Sequence, residues 1–384
     1  MTVAVGQYVY ELTHSAFHLG YVGLALFLPK FSFALLTGHV ADRFDRRLVI
    51  MICRGLQLLV MVGLVFFALA ASPRIEILYL LLFLMGTANA FEGPAAQSIV
   101  PHLVPKEHFA NAVTWISTFF QSGLMIGPAV GGWLYGAVGG ALNVFLIIAV
   151  IRLVATFLMR EVRVRTGRLE TSELSWKTLL AGLRYVFEYR VLLGAISLDL
   201  FAVLFGGAVA LMPIYANDIL HVGPTGLGFL RAAPAFGGAL MALAFTHLPP
   251  MRKAGITMLW CVVLFGVMTI LFGVSRSFPF SLACLFVLGA ADMVSVVIRH
   301  TLVQMKTPPE MRGRVSAVNI IFIGASNELG EFESGLTAGW FGTVPAVVIG
   351  GLGTLAVVGL WAWRFPELRR YRRLDEGVEP TGRF

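Results

Sequence analysis

A succession of long apolar runs, cut by short polar turns, constrains this chain more than any other feature. The runs cover about 18–40, 48–71, 76–99, 111–137, 141–159, 191–215, 225–247, 255–274, 279–303, 314–340 and 344–365. A hydrocarbon core of roughly 30 Å takes about 20 helical residues at 1.5 Å each, and each run meets that length. Turn signals fall between them: Ser72-Pro73, Pro101 and Pro105, Gly139-Gly140, Gly223-Pro224, Pro249-Pro250, Pro308-Pro309 and Pro345. Val3–Leu12 is apolar but too short to span. Taken as part of an incomplete first helix, it brings the count to twelve, and the start of the chain is expected to be mis-assigned. Only 13% of residues are charged and 58% are hydrophobic, with a mean hydropathy of +0.82. A soluble domain carries about 25% charged residues. The expected fold class is an all-α integral membrane protein.

The net charge of +8 raises the question of nucleic acid, and the placement of the charges answers it. With twelve helices, the even-numbered loops and the C-terminal tail hold 22 of the 29 Lys/Arg, whereas the opposite side holds only Arg74 and Arg276. That asymmetry is the positive-inside pattern and places the even-numbered loops and the C-terminus in the cytoplasm. A multi-pass protein of the inner, cytoplasmic membrane is expected, with the bilayer and no nucleic acid as partner. Cys53, Cys261 and Cys284 stand alone in apolar runs and read as small core residues, not as a disulfide or metal framework. No cleavable signal peptide is expected.

Between the runs 18–40 and 48–71 lies a knot of charge, Gly38-His39-Val40-Ala41-Asp42-Arg43-Phe44-Asp45-Arg46-Arg47. Its pattern Gly-x-x-x-Asp-Arg-x-x-Arg-Arg resembles the loop between helices 2 and 3 of the major facilitator superfamily of secondary transporters. The resemblance implies that Gly38, Asp42, Arg43, Arg46 and Arg47 latch a cytoplasmic gate; the family's second glycine is replaced by Asp45. In the fifth run, Gly123-x-x-x-Gly127-Pro128-x-x-Gly131-Gly132 spaces small residues for close helix packing around a proline bend. It resembles the fifth-helix motif of the antiporters of that superfamily, which implies export. Val9–Gly20, Asp199-Leu-Phe, Gly228-Phe-Leu-Arg231-Ala-Ala-Pro234 and Thr307–Val315 are similar to the branch of enterobactin, drug and macrolide exporters.

The resemblance implies a twelve-helix fold of two six-helix repeats, and the sequence carries traces of one. Mid-helix prolines recur in Leu24–Pro29 and Phe229–Pro234, and Pro105-x-Glu107 is matched by Pro308-x-Glu310, 203 positions later. The expected domains are 1–159, a helical bundle with a partial first helix; 160–190, a cytoplasmic linker; 191–365, a second bundle; and 366–384, a basic tail. Within the linker, Trp176, Leu179, Leu180, Leu183 and Phe187 recur at helical spacing while Lys177, Arg184 and Glu188 face elsewhere, which reads as an amphipathic helix on the inner membrane surface.

Charge inside apolar helices is the strongest functional signal. An ionised side chain at mid-bilayer costs roughly 2.5–3.5 kcal/mol even on the lenient insertion scale. Glu92, Asp199, Asp292, Glu328, Glu331 and Lys30 are the candidates for substrate contact or proton coupling, beside Glu333, Arg54, Arg152, Arg231 and Arg299. Glu328 and Glu331 stand three apart on one helical face, and close carboxylates share protons readily. Static pairing between helices is the other reading, favoured for Arg54, Arg152 and Arg299. The helix-4 segment Leu82–Gly86 lacks the arginine usual in drug:proton antiporters. No phosphate-binding Gly-Lys loop and no His/Cys metal spacing occurs in the sequence, so no cofactor beyond a proton gradient is expected and the chain is not an enzyme. The expected function is proton-coupled export of a small amphipathic molecule, a siderophore or drug, by a monomer. An importer or facilitator on the same fold, and a non-transporting scaffold, stay as alternatives.

Overall fold

A computed structural model describes residues 1–33, 36–37, 40, 43–162, 176–247 and 253–371, and no strand occurs among them. Lipid offers no hydrogen bonds, so each backbone group must be satisfied within its own segment, and helices do this. In chain order these are α1 (Thr2–Thr13), α2 (Ala16–Ser32), α3 (Arg46–Leu69), α4 (Ile75–Leu103), α5 (Phe109–Ala137), α6 (Ala141–Met159), α7 (Trp176–Glu188), α8 (Arg190–Phe205), α9 (Gly223–Phe245), α10 (Ala254–Val274), α11 (Phe278–Lys306), α12 (Pro309–Phe341), α13 (Thr343–Arg364) and α14 (Pro366–Arg370). Between α8 and α9 the chain continues through a 3-10 turn at Ala208–Leu211 and a π-helical turn at Tyr215–Ile219. Among the described residues eight helices are long and apolar enough to cross a membrane: α3, α4, α6, α8 with its continuation to Ile219, α9, α10, α11 and α13. Helices α1, α2, α5 and α12 complete a set of twelve. α1 has 12 residues, α2 has 17, α5 has 29 and α12 has 33.

The boundaries follow local chemistry. Asp45 caps α3, its carboxylate accepting from Arg47 N–H at 2.8 Å and Leu48 N–H at 3.3 Å. Gly139 and Gly140, at φ of +79° and +113°, make the turn from α5 to α6 that a side chain would strain. α12 begins at Pro309 rather than near 314, because a proline in the first turn has its φ preset and no N–H to lose.

The described residues form two compact units. Unit 1 holds Met1–Ser175 with Met212–Ala232; unit 2 holds Trp176–Leu211 with Ala233–Phe384. In unit 1, Val49, Ile50, Cys53, Ala88, Ala95, Ile99 and Met159 bury one apolar cluster of α3, α4 and α6. In unit 2, a larger cluster runs from Val186 through Ile196, Met258, Ile298 and Val315 to Leu368. Large apolar side chains stay exposed on the helix exteriors, among them Phe66, Phe119, Trp260 and Trp340, as expected where lipid is the solvent.

Each unit contains a mid-helix proline packed on a glycine. A Cβ on Gly86 of α4 would stand 2.7 Å from the Leu26 carbonyl oxygen and 2.8 Å from the Pro29 ring of α2. A Cβ on Gly289 of α11 would overlap the carbonyl of Pro234 in α9. Gly289 lies 203 positions after Gly86, so one helix crossing is built twice.

α7 packs the side of Gly182 and Val186 on the protein. Val186 is fully buried and Gly182 lies against the Arg314 backbone, while Leu180 and Phe187 are exposed together with Arg184. The start of α12 occupies the Gly182 side, so Leu180 and Phe187 are turned outward. The side chains of Trp176, Lys177 and Leu179 lie outside the described residues. The hydroxyl of Tyr185 donates to the Lys306 carbonyl at 2.9 Å, tying α7 to the end of α11.

Candidate functional site

Each unit gathers some of the candidate residues into a polar cluster inside its apolar helices. In unit 1, α3 and α4 carry their polar residues at three-residue spacing: Arg54 and Gln57, and Asn89 and Glu92. Arg54 Nε donates to Glu92 Oε1 at 3.0 Å, and Gln57 Nε2 donates to Glu92 Oε2 at 2.7 Å and Asn89 Oδ1 at 2.9 Å. Arg152 of α6 donates to Gln57 Oε1, and Arg54 Nη1 reaches the Ala155 carbonyl at 3.2 Å. One guanidinium, Arg54, thus meets the carboxylate directly, and the other, Arg152, reaches it through the amide of Gln57. Gln57, only 1% exposed, bonds Asn89, Glu92 and Arg152, and charge alone does not reveal it. The visible signal is its place one turn after Arg54 in an apolar run.

In unit 2, Asp199 of α8 pairs with Arg299 of α11; the two residues are 5% and 2% exposed. Asp292, two turns before Arg299, lines a small cavity with Asp199, Ala202, Val203, Cys261, Val262, Phe265, Ala291 and Ser295. Its volume of about 10 Å³ is at the limit for one water. Asp292, Ser295 and Arg299 recur at i, i+3 and i+7, so they share one face of α11.

The other candidates are dispersed. Lys30 is exposed in the last turn of α2, not in the middle of a longer helix. Glu328 and Glu331 are half-buried on α12. Glu333, on the same helix, accepts from the Thr337 hydroxyl at 2.7 Å. Of the charged loop, Gly38 and Asp42 lie outside the described residues. Arg43 is exposed, Arg46 opens α3, and Arg47 donates to the Arg160 carbonyl.

The glycine motif of α5 divides along its length. A Cβ on Gly132 would stand 2.5 Å from the Pro224 carbonyl oxygen and 2.6 Å from the Gly228 Cα of α9. At Gly123 and Gly127 no atom lies within 4 Å of that position, and at Gly131 the nearest is Val3 at 4.0 Å. Pro128 sits inside the helix, and its carbonyl faces Gly228. The close approach is therefore concentrated at Gly132. Nearby, Gln7 donates to Glu11 at 3.0 Å and exchanges amide hydrogen bonds with Asn217. The hydroxyls of Tyr10 and Tyr135 donate to Asp218 and Glu11. These contacts join α1, α5 and the π turn within unit 1.

A family model described as Major Facilitator Superfamily matches residues 1–326. Enterobactin exporter EntS of Escherichia coli is 28% identical over 394 residues, covering 99% of this chain and 91% of that protein. The protein of the same name in Escherichia fergusonii is 28% identical over 390 residues, covering 98% and 90%. Among solved structures, a bacterial homolog of the human lysosomal transporter Spinster superposes with a TM-score of 0.73 at 16% identity, covering 96% of this chain and 94% of that one. A bacterial homologue of the iron transporter ferroportin gives 0.68 at 16% identity, covering 96% of each chain. At such identities the likeness is one of fold.

Proposed function

This chain belongs to the major facilitator superfamily of transporters, and from that premise we propose that it is a secondary active exporter of a small amphipathic molecule of the siderophore or drug class, driven by inward proton movement. The observation that carries the export reading is the similarity to enterobactin exporters over 99% of the chain. Coupling to protons is supported by acids held inside the helices, with Asp292 lining a cavity and without a paired cation among the described residues. An isolated carboxylate in apolar surroundings costs several kcal/mol as an anion, and taking up a proton removes that cost. Alternating access then carries substrate out as protons come in, with no bound cofactor. The protein lies in the inner membrane with its C-terminus in the cytoplasm, a reading supported by the Lys/Arg asymmetry.

The test is transport by the purified chain in inside-out vesicles, with enterobactin as the first probe and a macrolide as the second. Accumulation that rises when the lumen is acid and collapses on adding a protonophore is the expected result. Accumulation indifferent to the gradient removes antiport, and none with either probe removes the substrate class.

A further inference from the structure

The cavity of unit 2 has a feature that pairing of charges leaves unexplained. Ser295 is 2% exposed, lines the cavity, and its Oγ has no hydrogen-bond partner among the described residues. A helical serine can return its proton to the carbonyl four residues back, as Thr301 and Thr354 do in this chain at 2.8 and 3.1 Å. A buried hydroxyl left without a partner costs about 1–3 kcal/mol, which calls for a ligand or a function.

The repeat shows what stands at the equivalent place in unit 1. Asp292 and Ser295 follow Asn89 and Glu92 by 203 positions, the same offset that relates Gly289 to Gly86. Cys261 follows Gln57 by 204. In unit 1 the equivalent positions are closed by the hydrogen bonds of Gln57, Asn89 and Glu92 to one another and to Arg54. In unit 2 a thiol replaces the glutamine, the glutamate has become a serine, and a water-sized space is left between the side chains.

We propose that this cavity is a one-proton site in which Asp292 binds and releases the proton, Ser295 serves both protonation states, and Asp199 stays ionised against Arg299. The groups facing the cavity are few. Asp199 comes from α8, the Cys261 thiol from α10, and Asp292 with Ser295 from α11; no other Asp, Glu, Lys, Arg, Cys or His lines it among the described residues. Asp199 and Arg299 cancel each other, so an ionised Asp292 leaves one uncompensated negative charge. Proton uptake converts its carboxylate to a carboxylic acid and the cluster to neutrality. With one water in the space between them, the Ser295 hydroxyl can donate towards the carboxylate and accept from the acid side, so either state can be satisfied. The adjacent guanidinium disfavours a metal cation in the same space.

This inference rests on the proton-coupled reading above but has its own measurement. The full-length protein in nanodiscs is treated with dicyclohexylcarbodiimide, which reacts with protonated carboxyls, over a pH series, and adducts are mapped by peptide mass spectrometry. The expected result is an adduct on Asp292 whose yield falls about tenfold per pH unit above its midpoint, with no adduct on Asp199. Ser295→Ala shifts that midpoint, and Ser295→Thr restores it. An Asp292 that is unlabelled at every pH, an adduct on Asp199, or protection by sodium at fixed pH overturns the proposal. Labelling as expected beside vesicle transport indifferent to a pH gradient upholds the site and rejects coupling. Gradient-driven transport with Asp292 unlabelled does the reverse.

Discussion

At the scale of single residues, the cost of a buried charge depends on what stands beside it. Asp199 and Arg299 are both buried, and removing one leaves the other uncompensated. Asp199→Asn is expected to destabilise the protein by about 3–5 kcal/mol. The double variant Asp199→Leu with Arg299→Met recovers most of this, because two apolar residues leave no charge behind. Thermal unfolding in detergent checks both; a double variant as unstable as the single one contradicts the argument. Glu92 and Arg54 have side chains 21% and 30% exposed, so water screens part of their attraction. Glu92→Gln should cost about 1 kcal/mol by the same measurement. These partners were only half legible beforehand. Charged letters in apolar runs identify Glu92, Asp199 and Arg299, whereas Gln57 and Ser295 matter through burial, which a letter does not state.

At the scale of elements, helices meet where a side chain is missing. Gly132→Ala places a methyl group against the backbone of Pro224 and Gly228, and neither can move aside as a flexible side chain would. A loss of about 1–3 kcal/mol is expected there, and likewise for Gly86→Ala and Gly289→Ala. Gly127→Ala meets open space and gains helix propensity, so it should be neutral or slightly stabilising. Unfolding midpoints of the four variants, measured side by side, decide this; a Gly127 variant as damaged as the Gly132 variant contradicts it. The sequence spaced the glycines of α5 evenly, and only the neighbouring helix distinguishes Gly132 from Gly127. The cytoplasmic end of unit 2 offers a pH readout. Glu367 is held below the usual carboxylate range by its own backbone N–H at the start of α14 and by Arg190, 3.0 Å away. A carboxyl whose folded-state pKa is depressed stabilises the fold above its unfolded pKa, near 4.3, and loses that contribution as pH falls through the folded value. Comparing unfolding of the parent and Glu367→Gln across this range should show their difference shrinking as pH drops.

At the scale of the whole molecule, twelve helices of the major facilitator superfamily are arranged so that one motif occurs twice and is used differently each time. The crossing of Pro29 with Gly86 and that of Pro234 with Gly289 keep the duplication visible after most side chains have diverged. The polar positions have diverged further: unit 1 closes its cluster with amides and arginines, and unit 2 leaves a space beside Asp292. The Lys/Arg asymmetry predicts that a reporter active only in the cytoplasm, fused after Phe384, will be active, and one active only outside will be silent. The opposite pattern inverts the proposed topology.

Apolar run lengths and turn residues settle the class of fold and mark where buried charge can lie, because each is a local property that solvent reads one segment at a time. Which acid faces an arginine and which faces a void, and which glycine is pressed by a neighbour, depends on residues tens to hundreds of positions away. Those choices belong to packing, where the free energy of a side chain is set by partners that chain order does not reveal.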